Sequence, residues 1–560
     1  VRRPYVSGSP RRLPKLPCAI LLLALATGAA PAAVADATSA TIAAMDAMDR
    51  REYATAAREF TLAAEQSDDP SVAERATQYT FATGYDGYAL RAARRWVELA
   101  PGSPLAHEVL GRLKLRRHDV DGAAREVALA LGTGEPRRDE MYLAVGADLA
   151  AEDDAGLVTR LLARLAGDDP LSPGLQLALG NAALRSRDYD LAASAAASAS
   201  IDDPDWAEPQ VLAAQVQAAA GGGEGADAAL ARLAAMEGDE ERAGLALERV
   251  RILEELDRLP EARAVLEDLA GRFGERPPVV RARAFLDMRA DDLTAASRGF
   301  ETLAASQDDR FEAFYYLGQI AREQGDPELG RQTLSRITAG PYLLPARLAM
   351  AESLVREERI DEAADLLTQF IGDYPPKAFD ALNYLAQLLA NADRLDPALA
   401  AWDQALEFKP ESPAALLGRG MLLERMGRLD EALRDMGAAA AIAVDDPVVQ
   451  NAYGYTLANR TRRTEEAYAR IRRAIEQAPD SAAIQDSMGW VLFRLDRPEE
   501  ARSWLEQAFT VFPDPEVAAH LADVWTATGE ADRARDLLYA ALVAHPGSEP
   551  VRAAADRLLR

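Results

Sequence analysis

Small and bulky apolar residues recur along this chain at a period too long for one helix or strand. In the last third, Ala363, Ala398, Ala432, Ala467, Ala501 and Ala534 follow one another at intervals of 35, 34, 35, 34 and 33. Each opens a run such as EEARSWLEQAFTVFP, with a bulky residue four on, a small or apolar one seven on, and a proline about twelve on (Pro375, Pro410, Pro447, Pro479, Pro513, Pro546). Twelve or thirteen residues before each alanine lies another small residue: Ala351, Ala386, Gly420, Gly454, Gly489 or Ala522. Apolar positions spaced by four and seven mark one face of a helix. Proline, which lacks an N–H and clashes with the preceding turn, marks where the helix stops. Each period therefore predicts two helices, one carrying Gly489 and its equivalents, the other carrying Ala501 and Ala508 and ending before Pro513.

Glycine inside a helix costs about 1 kcal/mol relative to alanine, so Gly454 and Gly489 need a reason. Two antiparallel helices approach closely only where facing residues are small, and bulky neighbours fill the space beside them. The predicted contact sets Gly489 against Ala501 and Ala508, and Gly454 against the helix of Ala467; Ala534 belongs to the last pair. One such pair cannot bury its own apolar face, whereas stacked pairs can. The register continues upstream in Gly111, Ala123 and Ala130, in Gly180, Ala192, Ala196, Ala199 and Pro204, and in Gly318 and Gly330. Residues 137–170, 205–237 and 238–275 match poorly. The pattern resembles the tetratricopeptide repeat, a helix–turn–helix of 34 residues. The expected fold is all-α, a tetratricopeptide-repeat superhelix (α-solenoid) of roughly fifteen helix pairs between Thr41 and Pro546. Degenerate repeats are expected over 36–345, well-matched ones over 346–546, and a capping helix over 547–560. The stretch Thr338 to Pro345 is the best candidate for a bend.

Composition narrows the function. The 560 residues carry a formal charge of -27, which disfavours nucleic acid as a partner, because neutralising phosphates takes clustered Lys and Arg. Residues 1–35 read as an export leader. They hold five positive and no negative charges, an apolar run from Ala19 to Ala30, and the small-x-small cleavage pattern Ala33-Val34-Ala35. The expected mature chain begins near Asp36, lies in the periplasm, and has no further segment apolar enough to cross a membrane. Cys18, the one cysteine, precedes the apolar run rather than following it, so the mature chain has no thiol and no lipid anchor is expected.

No constellation for chemistry emerges. His107, His118, His520 and His545 share no metal-binding helical spacing, and GGGEG (221–225) lacks the Lys-Ser/Thr of a phosphate loop. Acidic pairs such as Asp153-Asp154, Asp202-Asp203, Asp291-Asp292 and Asp445-Asp446 fall at repeat junctions, where carboxylates cap helices. The expectation is a protein that is not an enzyme and has no metal or cofactor.

What remains is the face lined by the first helix of each pair. Its positions carry Glu312, Tyr315, Gln319, Arg322 and Glu323 in one unit, then Asn383, Gln387 and Asn391 with Arg425 beyond. Asn451, Tyr455 and Asn459 follow, and then Asp486, Trp490, Phe493 and Arg494. Amides can pair a peptide backbone, aromatic faces can cover its side chains, and Arg can clamp a carboxylate. From Asn451 to Glu530, NAYGYTLANRTRRTEEAYARIRRAIEQAPDSAAIQDSMGWVLFRLDRPEEARSWLEQAF and PDPEVAAHLADVWTATGE resemble a family of exported proteobacterial tetratricopeptide-repeat proteins. That family includes the outer-membrane lipoprotein adaptor of a periplasmic carboxyl-terminal processing protease. The resemblance implies a non-enzymatic scaffold whose partners are that protease and cell-wall hydrolases, with association at the outer membrane. The alternative is an assembly scaffold for polysaccharide or outer-membrane export.

Overall fold

A computed structural model describes residues 31–50, 52–132, 138–152, 154–237, 243–306 and 308–559. Cys18 and most of the leader lie outside the described residues. Among those described there are 31 α-helices and no strand. The chain divides into two compact units, 1–377 and 378–560.

Thirty helices form fifteen consecutive pairs, from Pro31–Asp49 with Tyr53–Gln66 to Pro515–Ala527 with Ala531–Ala544, and Glu549–Leu558 closes the series. In all but one pair the two partners pack on each other. The exception falls in the degenerate stretch. Arg138–Leu149 packs on Pro173–Arg185, while Ala155–Asp168 packs between Val120–Leu131 and Pro173–Arg185. Glu152, in the turn between the two, is buried and joins Arg112 (2.7 Å) and Arg116 (2.7 Å) of Pro104–Arg116; Arg116 also reaches Asp86 (2.8 Å). Burial alone would push the Glu152 carboxyl up, but the hydrogen bonds and charges of Arg116 and Arg112 bring it below the usual glutamate range. A group lowered in the folded state stabilises above its unfolded pKa, and that contribution disappears as pH falls through the folded value. The melting-temperature gap between wild type and Glu152→Gln should therefore narrow as pH drops below about 4.3; a gap independent of pH would contradict the ion-pair assignment.

The repeat is also written in the backbone. Among the described residues, a turn residue between the helices takes positive φ in twelve of the fifteen pairs: Gly84, His118, Arg187, Gly222 (with Gly221 and Gly223), Asp257, Asp291, Gly325, Glu358, Asp393, Gly427, Asp496 and Gly529. These positions lie 33 to 35 residues apart, with two 69-residue steps, His118 to Arg187 and Gly427 to Asp496. The first step spans the irregular pair. The repeat thus runs through the degenerate half, where side chains hide it. Glu358 sits there at φ 61° and is exposed. A Cβ in this region costs about 1–2 kcal/mol, part of which glycine's own flexibility offsets. Glu358→Gly should stabilise by about 0.5–1 kcal/mol in denaturant unfolding; destabilisation would contradict it.

First helices start where a side chain caps the free N–H groups and a proline occupies the first turn. Ser103, Ser172, Ser412, Asp446 and Asp514 are such caps, each followed by proline. Pro447 accordingly opens Pro447–Arg460 rather than ending the helix before it. Of the acidic pairs, Asp154, Asp292 and Asp446 cap helices, whereas Asp203 accepts from the Asp205 N–H in a turn; Asp153 lies outside the described residues.

Candidate functional site

In the second unit, first helices touch the first helix of a following pair: Ala378–Asn391 with Pro413–Arg425, Pro447–Arg460 with Ala482–Arg494, and that helix with Pro515–Ala527. First helices therefore line the inner face, and the sequence-predicted residues lie on them.

The packing beneath that face is repetitive. A Cβ on Gly489 would stand 2.5 Å from Leu505 Cγ and 3.1 Å from the Ala501 carbonyl oxygen. On Gly454 it would stand 2.7 Å from Ile471 and 3.1 Å from the Ala467 carbonyl, and on Gly420 2.7 Å from Met436 and 3.2 Å from the Ala432 carbonyl. The close neighbour is thus the bulky residue four after the alanine, together with the alanine's own backbone. Ala467, Ala501, Ala508 and Ala534 are buried, and Pro479 and Pro513 follow the ends of Thr464–Gln477 and Pro498–Val511.

Three successive first helices converge around Trp490. Its indole stacks on the His520 ring at 4.2 Å between centroids and 18° between planes, and on Phe493 at 5.6 Å and 30°. His520 is 7% exposed, and its Nδ1 lies 2.9 Å from Oδ1 of Asp486, which is also 7% exposed. The Tyr455 hydroxyl donates to Glu516 Oε1 at 2.5 Å. Tyr455 and Glu516 belong to helices on either side of the one carrying Trp490, so this bond bridges across it. The Tyr455 hydroxyl is pushed above its ordinary pKa by burial first, then by its bond to Glu516 and by the charges of Glu516, Asp486 and Glu424. Asp523 is pushed up by burial, against the pull of Arg557, which binds it at 2.7 Å.

On these three helices, three buried polar atoms have no partner among the described residues: Asn451 Oδ1, Gln485 Oε1 and Trp490 Nε1. A buried indole N–H ordinarily finds an acceptor. Trp525, one pair further on, does so, donating to Glu506 at 2.9 Å. Trp490 Nε1 has no such acceptor among the described residues.

Other predicted residues are placed differently. Gln387 and Asn391 are exposed and bond each other at 3.1 Å, and Asn383 and Asn459 are half-buried. Arg425 donates to the Ala390 carbonyl (2.9 Å) and pairs with Asp393 (3.3 Å). Arg494 donates to the carbonyls of Ala458 (2.5 Å) and Thr461 (3.4 Å), with its guanidinium 5.9 Å from the Trp490 ring. Both arginines thus cap the C-terminal end of the preceding first helix. Arg494→Ala should cost about 1 kcal/mol of stability through the lost bonds; an unchanged unfolding midpoint would contradict this role.

Sequence reasoning missed Glu516, His520 and Asp523. Continuing the same groove positions one unit further would have reached Glu516 and Asp523; His520 lies just off those positions. The remaining junctions use a repeated clamp. His107, Gln176, Gln210 and Gln485 each bond the carbonyl of the proline six residues back, namely Pro101, Pro170, Pro204 and Pro479. Among the described residues there is no group of three or more His, Cys, Asp or Glu arranged to hold a metal, and no helix long and apolar enough to cross a membrane.

A family model for the tetratricopeptide repeat matches residues 281–343, 348–407, 392–447 and 487–549. These segments are tetratricopeptide repeats. The TPR repeat-containing protein PA4667 of Pseudomonas aeruginosa is 36% identical over 211 residues, 38% of this chain and 36% of that one. The TPR repeat-containing protein YpiA of Bacillus subtilis is 28% identical over 202 residues, 34% of this chain and 45% of that one. The chain therefore matches less than half the length of either relative. Among solved structures, the APC/C hetero-tetramer Cut9-Hcn1 is similar at 16% identity, over 95% of this chain and 98% of that one, with a TM-score of 0.36. A thermophilic TPR protein of Thermus thermophilus is similar at 23% identity, over 32% and 100%, with a TM-score of 0.29.

Proposed function

We propose that the chain is an exported protein-binding scaffold whose second unit receives an extended segment of a partner on the face of Asn451, Tyr455, Trp490 and Phe493. The observation that carries the reading is the convergence of three first helices on Trp490, with its indole N–H and the amide oxygen of Asn451, on the preceding first helix, both buried and unpaired among the described residues. A peptide offers the matching carbonyl and N–H at every residue. The half-buried aromatic rings supply rigid contact area at low entropic cost.

The partner class follows from the family resemblance over Asn451–Glu530. In this reading the chain is an adaptor between a carboxyl-terminal processing protease and cell-wall hydrolases, in the periplasm. The leader pattern of residues 1–35 supports export. Mass spectrometry of the mature N-terminus should find Asp36. Native co-purification from the envelope fraction should recover a protease or wall hydrolase with the wild-type chain and not with Trp490→Ala. Recovery of neither class from wild type would overturn the adaptor role.

A further inference from the structure

The charges around Trp490 are unevenly compensated. Among the described residues, four arginines at this face are engaged: Arg425 and Arg494 on helix-end carbonyls, Arg460 on Glu424 at 2.8 Å, and Arg557 on Asp523. Asp486 has His520. Glu516 differs. Among the described residues its carboxylate, in the first turn of Pro515–Ala527 at the positive end of that helix, accepts from the neutral Tyr455 hydroxyl and is paired with no Lys, Arg or His. Glu424 and Asp486 add to the negative field at that hydroxyl. The carboxylate is half-buried, where an opposite charge is screened less than at an open surface. On the helix that the Tyr455–Glu516 bond crosses, Trp490 Nε1 is buried and unpaired among the described residues, an independent sign of an absent acceptor.

We infer that the Trp490 face selects a partner segment carrying a lysine or arginine, whose cation takes the Glu516 carboxylate while the segment's backbone meets Trp490 Nε1 and Asn451 Oδ1. Both atoms are closed to solvent in the free chain, so binding has to open the face. The bond to open is Tyr455–Glu516, because it bridges the helix that carries Trp490. Tyr455 then competes with the incoming cation for one carboxylate. This rests on the reading of the face as a binding surface.

The test is to pan a display library of random linear peptides against the immobilised full chain and against Glu516→Gln, Tyr455→Phe and Trp490→Ala, each checked for an unchanged melting temperature. The expected result is a shared Lys or Arg position in the wild-type binders. Their affinity should fall about tenfold for Glu516→Gln, as for the loss of one partner of an interfacial charge pair, and fall further with added salt. Tyr455→Phe, which frees Glu516, should bind them at least as tightly as wild type. If Glu516→Gln lowers the melting temperature, the salt dependence of wild-type binding carries the test alone. Binders that need Trp490 but show no cationic position, no salt dependence or no loss with Glu516→Gln overturn the cation selection and leave the binding face standing. Binders indifferent to Trp490→Ala, or no binders at all, overturn the face itself.

Discussion

Gly489→Leu lowers the stability of the second unit by about 1–3 kcal/mol, the usual cost of forcing extra methylenes into a packed core. Even a Cβ at this position meets Leu505 Cγ at 2.5 Å and the Ala501 carbonyl at 3.1 Å. Leu505 is fully buried and cannot swing outward, and the carbonyl belongs to helix backbone. Relief therefore requires Ala482–Arg494 and Pro498–Val511 to separate, which also shifts Trp490 away from His520. Amide exchange should quicken across both helices. Gly547→Leu is the control, since nothing lies within 4 Å of a Cβ there. Equal midpoints for the two variants would refute the close contact on which the repeat reading depends.

Trp490→Ala abolishes partner capture, with a loss of about 2 kcal/mol or more, the range for a central aromatic anchor. That corresponds to an affinity reduced about thirtyfold. The residue is half-buried and stacked on His520 and Phe493, and the Tyr455–Glu516 bond bridges the helix that carries it. Its removal also leaves the buried Asp486–His520 pair less enclosed, so melting must be followed alongside binding. Tyr539→Ala, at an exposed aromatic on the second helix of the last pair, should leave capture unchanged. Equal loss from both substitutions would mean that Trp490 has no special role.

The architecture was legible because each helix pair must solve the same packing problem with the same residue sizes. Gly420, Gly454 and Gly489 announce it, and the structure places each against a bulky residue sixteen or seventeen positions on. The irregular pair, Arg138–Leu149 and Ala155–Asp168, was not legible. Its two helices share a core with Pro173–Arg185 instead of packing on each other, and Glu152 between them bridges to Arg112 and Arg116, a long-range ion pair that leaves no periodic trace. The left-handed turn positions were hidden for another reason. Asp257, Asp291 and Glu358 fill a place that glycine takes elsewhere, so only the backbone shows their equivalence. At the candidate site, residue type singled out Trp490, Tyr455 and Asp486, which the structure brings together around the Trp490 helix. It could not say that Arg425 and Arg494 are held by helix-end carbonyls, because that depends on where the preceding helix stops. Nor could it show that His520 belongs with them, since the pairing with Asp486 appears only once two helices pack.

The most direct measurement is photo-crosslinking in intact cells, with a photoreactive amino acid placed at Phe493 in one strain and at Tyr539 in another. The account predicts covalent adducts to an extended partner segment from position 493, lost when Trp490→Ala is added, and no adducts from position 539. Adducts from 539 and none from 493 would contradict it.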